Sequence, residues 1–445
     1  MGETGTRPLL CRFTLQGHDK VRDRIVATLA QTRPSIQRIA PRPVVIIALV
    51  TAVCLLGDSA LYAILPSKLD AFAVSPTAVG LILGVNRYIR LVSNTAAGWA
   101  FERMGFHGPF LFAIALAAVT TFSYGFFTGF WPLFLAHGAW GISWSLLRLG
   151  GYLAVIGTGS SANIGRLMGV LYGGARGGSL VAVLLGGVLA DSIGGRETFL
   201  VLGGLTLFAF TLVPFSQVPH TLGRRKDLAA DSVESLRVES ATMAGPSPLI
   251  MMVNIQIFVF GLVVSGLMVA TAGYLLRTIA SDGTTVMGLT IGVGLLSGLL
   301  LGVRWTGDLG LSVIFGHASD RIGRNKIILV SIAIVTTALA LIAVERSLVV
   351  VFPAVSVLFI AGTALVVALN ASIGGLAPVE RRASVLSRYA TWQDVGSGTG
   401  PFVGLLLATN VGFGWTYAGG AAIMAAAGLL YAWAVSRERP LRQRP

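Results

Sequence analysis

Nine ionisable side chains sit inside runs of sequence that are otherwise apolar: the arginines 87, 90, 148, 176, 304 and 388, and the aspartates 58, 308 and 394. If those runs cross a bilayer, each charge costs roughly 2.5–3.5 kcal/mol at a helix centre even on a lenient insertion scale, so each needs a reason. The planar fork of arginine grips a carboxylate or phosphate at two points. A carboxyl group facing a cavity can take up and release a proton and so drive a change of state. Arg87, Arg90 and Asn94 recur at helical spacing on one side of a single run. This gives a candidate binding set for an anionic group (Arg87, Arg90, Asn94, Arg148, Arg176, Arg304 and Arg388) and a candidate coupling set (Asp58, Asp308 and Asp394). The competing reading is structural: Arg304 and Asp308, at i and i+4, neutralise each other, Asp394 serves Arg176 or Arg388, and the rest reach the interface. Three acids cannot neutralise six arginines, which leaves positive charge for solvent, helix-end carbonyls or a bound anion. Asp58 has no cation one helical turn away in sequence, so it is either a coupling carboxyl or the partner of an arginine on the second or fifth helix. His137, in FLAHGAW, reads as a packed polar residue rather than a proton relay.

The elements that must carry these residues are long apolar segments. Of 445 residues, 54% are hydrophobic and only 12% charged, against roughly 25% charged in water-soluble domains. Mean hydropathy is +0.78. About 20 apolar residues span a bilayer core. Cutting the apolar runs at charges and at Gly/Pro clusters predicts twelve helices, near 43–65, 78–101, 108–128, 132–157, 165–190 and 197–217, then 249–275, 287–318, 327–344, 348–374, 383–408 and 414–436. Residues 218–247 form a polar linker, flanked by six-helix halves over 43–217 and 248–436, with basic tails at 1–42 and 437–445. The net charge of +14 does not form an aromatic-interleaved basic patch, so nucleic acid is not an expected partner. Lys68, Arg196, Arg277 and Arg346 occupy the loops on one side. Apart from the six arginines within helices, the remaining basic residues fall in the tails and the loops on the other side, which places both termini in the cytoplasm. The first 42 residues lack the apolar region and cleavage site of a signal peptide and read as a cytoplasmic tail, with a transit peptide as the alternative. Cys11 and Cys54 make neither a disulfide framework nor a metal-ligand set, and no cofactor is expected.

A repeat ties the halves together. The block from Gly84, GVNRYIRLVSNTAAGWAFERMG, aligns without gaps to the block from Gly302, GVRWTGDLGLSVIFGHASDRIG. Gly84, Val85, Gly98, Arg103 and Gly105 recur as Gly302, Val303, Gly316, Arg321 and Gly323, and Glu102 aligns with Asp320. The same alignment sets Arg304 at the position of Asn86 and Asp308 at that of Arg90. Parallel halves of this kind mark transporters. GHASDRIGRNK (Gly316, Asp320, Arg321, Gly323, Arg324) resembles the loop motif of the major facilitator superfamily. GWAFERMGFHG, with Glu102 and Arg103, is a degraded copy in which Phe106 and His107 replace the basic pair. GSGTGPFVG (Gly396, Gly400, Pro401, Gly404) is similar to that family's glycine–proline packing pattern. Arg148 in SLLRLGGY has a weaker likeness to the arginine of its proton-coupled members.

The resemblance implies an all-α polytopic membrane protein whose twelve transmembrane helices form two pseudo-symmetric six-helix bundles. It implies a secondary transporter working by alternating access, with the motif residues acting as a conformational gate or, in the plainer reading, setting topology and a tight turn. The buried charge adds a small anionic solute, with protons as coupling partners in symport. A monomer in a lipid bilayer, the bacterial inner membrane, completes the expectation. Drug or metabolite efflux is the alternative within the family, and a sensor or scaffold without flux is the alternative outside it. The absence of HExxH, GxSxG and GxxxxGK[ST] argues against an enzyme and against ATP-driven transport within this chain. With four of the six arginines in the first half and the intact motif in the second, the first half is expected to dominate recognition and the second to supply the stronger cytoplasmic latch.

Overall fold

The computed structural model describes Gly2, Leu222 and residues 42–159, 163–219, 248–280, 283–286, 289–378 and 381–442. Most of the expected tail and linker lie outside the described residues. Among the described residues there are twelve long helices: α1 Arg42–Ile64, α2 Pro76–Met104, α3 His107–Phe126, α4 Phe130–Thr158, α5 Ile164–Ser192, α6 Gly195–Ser216, α7 Pro248–Ile279, α8 Val293–Ile322, α9 Arg324–Val344, α10 Leu348–Leu376, α11 Arg382–Asn410 and α12 Gly412–Arg442. Ten are apolar enough to cross a membrane on composition alone. The two that are not, α2 and α11, carry Arg87 with Arg90 and Arg388 with Asp394, so their polarity marks the site rather than a break in the bundle.

The helix ends follow local chemistry. Ser75 accepts a hydrogen bond from the Ala78 N–H, with Pro76 in the first turn of α2. Gly105 and Gly323 adopt φ of 75° and 105°, a conformation that L side chains resist, and each reverses the chain within its motif copy. The paired glycines of the sequence repeat are therefore the turn itself. The predicted eighth helix starts later than expected, at Val293, because Thr284–Val286 and Leu289–Ile291 pair as a two-stranded antiparallel ribbon with Thr285 opposite Thr290. The β-branched residues there favour the ribbon.

The halves pack as pseudo-symmetric partners: α2 lies on α4 and on α11 of the other half, while α8 lies on α10 and on α5 of the other half. Small residues permit both crossings. A side chain at Gly80 or Gly84 would collide with the main chain at Pro401–Phe402 or Gly398, and one at Gly187 or Gly298 with that at Gly294 or Val183. The glycines of GSGTGPFVG face α7, where Gly396 and Gly400 approach the main chain at Phe258 and Leu262. Opposite them α7 contains a π-helical stretch, Gly261–Met268, and α8 contains a second one, Gly307–Leu311.

These crossings lie toward the end of the bundle remote from Arg42. There Thr77 meets Thr409, Asp70 pairs with Arg277 at 2.5 Å, and Asp191 of α5 accepts hydrogen bonds from the first N–H groups of α8, Gly294 at 3.0 Å and Leu295 at 2.7 Å. Lys68 holds the same Asp191 at 2.8 Å. At the opposite end, Gly98 and Gly316 face open space, and Ser312–Ile322 packs on α9 and α10 of its own half. Among the described residues, the hydrogen bonds and ion pairs joining the halves gather at the remote end and the middle and thin out toward the end bearing the two motif turns.

Candidate solute and coupling site

Asp58 lies in the last third of α1, toward the end remote from Arg42, buried where α2, α3 and α4 converge. Asn86 Nδ2 donates to its Oδ1 at 3.4 Å, and His137 Nδ1 stands 3.9 Å from the same oxygen. The imidazole is wholly buried, 3.1 Å from the Tyr124 hydroxyl and edge-on to Tyr62. One turn further along α2, Arg90 is only 6% exposed and lies 5.4 Å over the Trp144 ring. Two buried polar atoms around this point, Asn86 Oδ1 and Arg90 Nε, have no protein hydrogen-bond partner, whereas Trp140 hydrogen-bonds Asp58 and the His137 ring hydrogen-bonds the main chain at Leu83. Native interiors seldom tolerate such a pair unless water or a ligand completes it.

Two ion pairs join the halves. Arg87 of α2 reaches Asp394 of α11 at 3.4 Å, and Arg176 of α5 reaches Asp308 of α8 at 3.6 Å. Thr363 of α10 donates to the second oxygen of Asp308 at 2.9 Å. Arg304 turns into its own half, donating to the Ser265 hydroxyl at 3.1 Å and lying over Trp305 and Phe359. Arg176 stacks on the same Trp305 at 4.9 Å. Arg148 of α4 donates to the Asn94 side-chain Oδ1 of α2 at 2.9 Å. The result is a polar band through the apolar bundle, with α2 and α8 each contributing from one half.

The family model of the Major Facilitator Superfamily matches residues 47–308 and 295–445. The chain belongs to this superfamily. It is similar to the multidrug resistance protein MdtG of Citrobacter koseri, 24% identical over 339 residues covering 75% of this chain and 79% of that one. It also aligns to the human synaptic vesicular amine transporter, 30% identical over 131 residues, 29% of this chain and 25% of that one. Among solved structures, the nucleoside transporter NupG superposes with a TM-score of 0.72 at 12% identity, covering 89% of this chain and 99% of that one. A bacterial homologue of the human lysosomal transporter Spinster, inward-facing and occupied, gives 0.69 at 13% identity over 88% and 96%. The chain is thus an integral, multi-pass transporter of the major facilitator fold.

Within that fold, Arg87, Arg90, Asn94, Arg148, Arg176 and Arg304 join the band with Asp58, Asp308 and Asp394, and Arg388 does not. It is exposed in the second turn of α11. The expected pairings change. Asp394 takes Arg87 from the other half instead of Arg176 or Arg388. Arg304 and Asp308 do not pair, because the π turn beginning at Gly307 breaks the i, i+4 stacking on which that expectation rested. Asp58 takes Asn86 and His137 as its nearest partners rather than an arginine, and His137 is linked to a titrating group after all. Of the motif residues, Glu102 and Arg103 are exposed, with Arg103 lying over Trp99 at 4.7 Å. Asp320 is 70% exposed on its side chain and faces Arg324 at 3.7 Å, while Arg324 also donates to the Ala371 carbonyl of α10. Arg321 and Gly323 are exposed, and Gly316 is half-buried. The residues missed from sequence are Asn86, Trp140, Trp144, Tyr124, Trp305 and Thr363. A signal existed for two of them: Trp140 and Trp144 follow His137 at helical spacing.

Proposed function

We propose that this transporter moves a small anionic solute by alternating access, coupled to protons. The observation that carries the reading is that Arg90, Arg148 and Arg304 have no carboxylate within 4.0 Å among the described residues, although three aspartates share the band. Charges placed at this depth pair, or mark a pathway. Two of these three arginines, Arg90 and Arg148, belong to the first half, which accordingly dominates recognition. Trp144, Trp305 and Phe359 border the guanidinium groups and suit a solute with an apolar or aromatic portion. Asp58 serves as the proton-carrying carboxyl, Asp308 and Asp394 hold the inter-half arginines, and the motif residues form the gate at their end of the bundle. With both termini cytoplasmic in a bacterial inner membrane, the end bearing the motif turns faces inward, and rocking of the halves about the band opens one side and then the other. The transporter works as a monomer.

The test is flux in reconstituted vesicles with a panel of labelled organic anions, with and without an imposed pH gradient. Saturable anion movement that responds to the gradient supports the reading. Movement of cationic amphipathic dyes with no anion movement overturns it in favour of drug efflux, which the relatives named as multidrug resistance proteins favour. No flux of any kind favours a sensor or scaffold.

A further inference from the structure

The proposed proton coupling uses a single carboxyl, yet the imidazole beside it is fully buried and holds no role in that reading. His137 has no reason from packing alone to be a histidine: it lies on α4 between two tyrosine rings, a place that a phenylalanine or leucine fills without desolvating two ring nitrogens. Its Nδ1 points at Asp58 Oδ1 and at the Tyr124 hydroxyl, and the ring also hydrogen-bonds the main chain at Leu83. The titratable and charged groups around it are Asp58 and Tyr62 from α1, Arg87 and Arg90 from α2, Tyr124 from α3, and Asp394 of α11 through Arg87. In that setting a second cation is disfavoured unless Asp58 is ionised, and an ionised Asp58 lacks any guanidinium within salt-bridge distance.

We propose that Asp58 and His137 share one proton, with His137 as the positioning partner that decides when Asp58 releases it. In one form the proton is on the carboxyl and both groups are neutral. In the other the O–H bond has broken, an N–H bond has formed on Nδ1, and the pair is carboxylate and imidazolium. At 3.9 Å the two atoms are about 1 Å beyond hydrogen-bond distance, so the transfer requires the Asp58 carboxyl to move toward Nδ1. Asn86 donates to the same oxygen and keeps the carboxylate form solvated. Tyr124 competes for Nδ1, so the transfer alternates with the tyrosine contact.

This inference rests on Asp58 being a proton carrier, and the experiment separates the two. The infrared carbonyl band of a protonated carboxyl is followed against pH in the purified full-length protein, without any solute. The wild-type chain is expected to titrate in two steps, as coupled groups do. Asp58→Asn removes the band, and His137→Gln, which keeps a polar side chain, reduces the titration to one step. Tyr124→Phe retains both steps and alters their separation. If Asp58→Asn leaves the band intact, Asp58 carries no proton and the coupling role fails with this inference. If Asp58→Asn removes it but His137→Gln titrates as wild type does, the shared proton alone is overturned. Thermal melting of each variant in detergent reports folding independently.

Discussion

Helices α2 and α8 share a repeat 218 residues apart by the equivalence of Gly84 with Gly302, hold equivalent places in the bundle, and use opposite chemistry there. Against the other half, α2 presents the cation Arg87 to Asp394, whereas α8 presents the anion Asp308 to Arg176. The crossing of α2 at Gly84 is main chain on main chain, but that of α8 at Gly302 is against the Leu180 and Leu184 side chains. Helix α2 is capped by its own Ser75, while α8 is capped by Asp191 from the opposite half. Duplication thus preserved where the halves touch and not what they touch with. At Gly80 and Gly298 both crossings are main chain on main chain, but at Gly84 the contact tolerates no intrusion while at Gly302 it yields.

The largest effect is expected from bulk at the unyielding crossing. Gly84→Leu should reduce vesicle flux more than about 100-fold, since a side chain there meets the Gly398 carbonyl, while Gly302→Leu should cost only severalfold because leucine side chains can repack. Equal losses would erase the contrast. Breaking the ion pairs comes next. Arg87→Gln should destabilise by about 2 kcal/mol in thermal melting, between the values for exposed and for buried pairs, with part regained in Arg87→Gln/Asp394→Asn. Asp308→Asn should cost under about 1 kcal/mol, because Arg176 is 43% exposed and keeps Trp305. The last prediction concerns the cap. Asp191→Ala removes two hydrogen bonds between halves, worth about 1 kcal/mol, and should shift the population about fivefold toward the state open at the remote end, read as a longer distance between labels at positions 77 and 409.

Composition and run length made the twelve helices legible, and the repeat made the two halves legible, since a bilayer imposes both length and apolarity on every crossing. The charged residues of the band were legible for the same reason: any charge stands out on an apolar background. Their partners were not. Asp58 and His137 are on different helices, and no spacing rule connects residues across a helix–helix contact. Arg388 stands exposed in the second turn of α11, away from the band, a placement that no spacing in the sequence indicates. The neutralisation of Arg304 by Asp308 failed on a π turn, which leaves no mark in residue type.

That turn at Gly307–Leu311 has a consequence for angular phase. A π turn takes one residue more than an α turn, so each side chain beyond it is about 100° round the axis from where an unbroken helix would carry it. Glu102 and Asp320 agree in count along the chain but disagree in azimuth. A charge transplanted between the halves by counting residues would arrive on the wrong meridian of its helix, and only a transplant that also deletes or inserts one residue would bring it to the equivalent face.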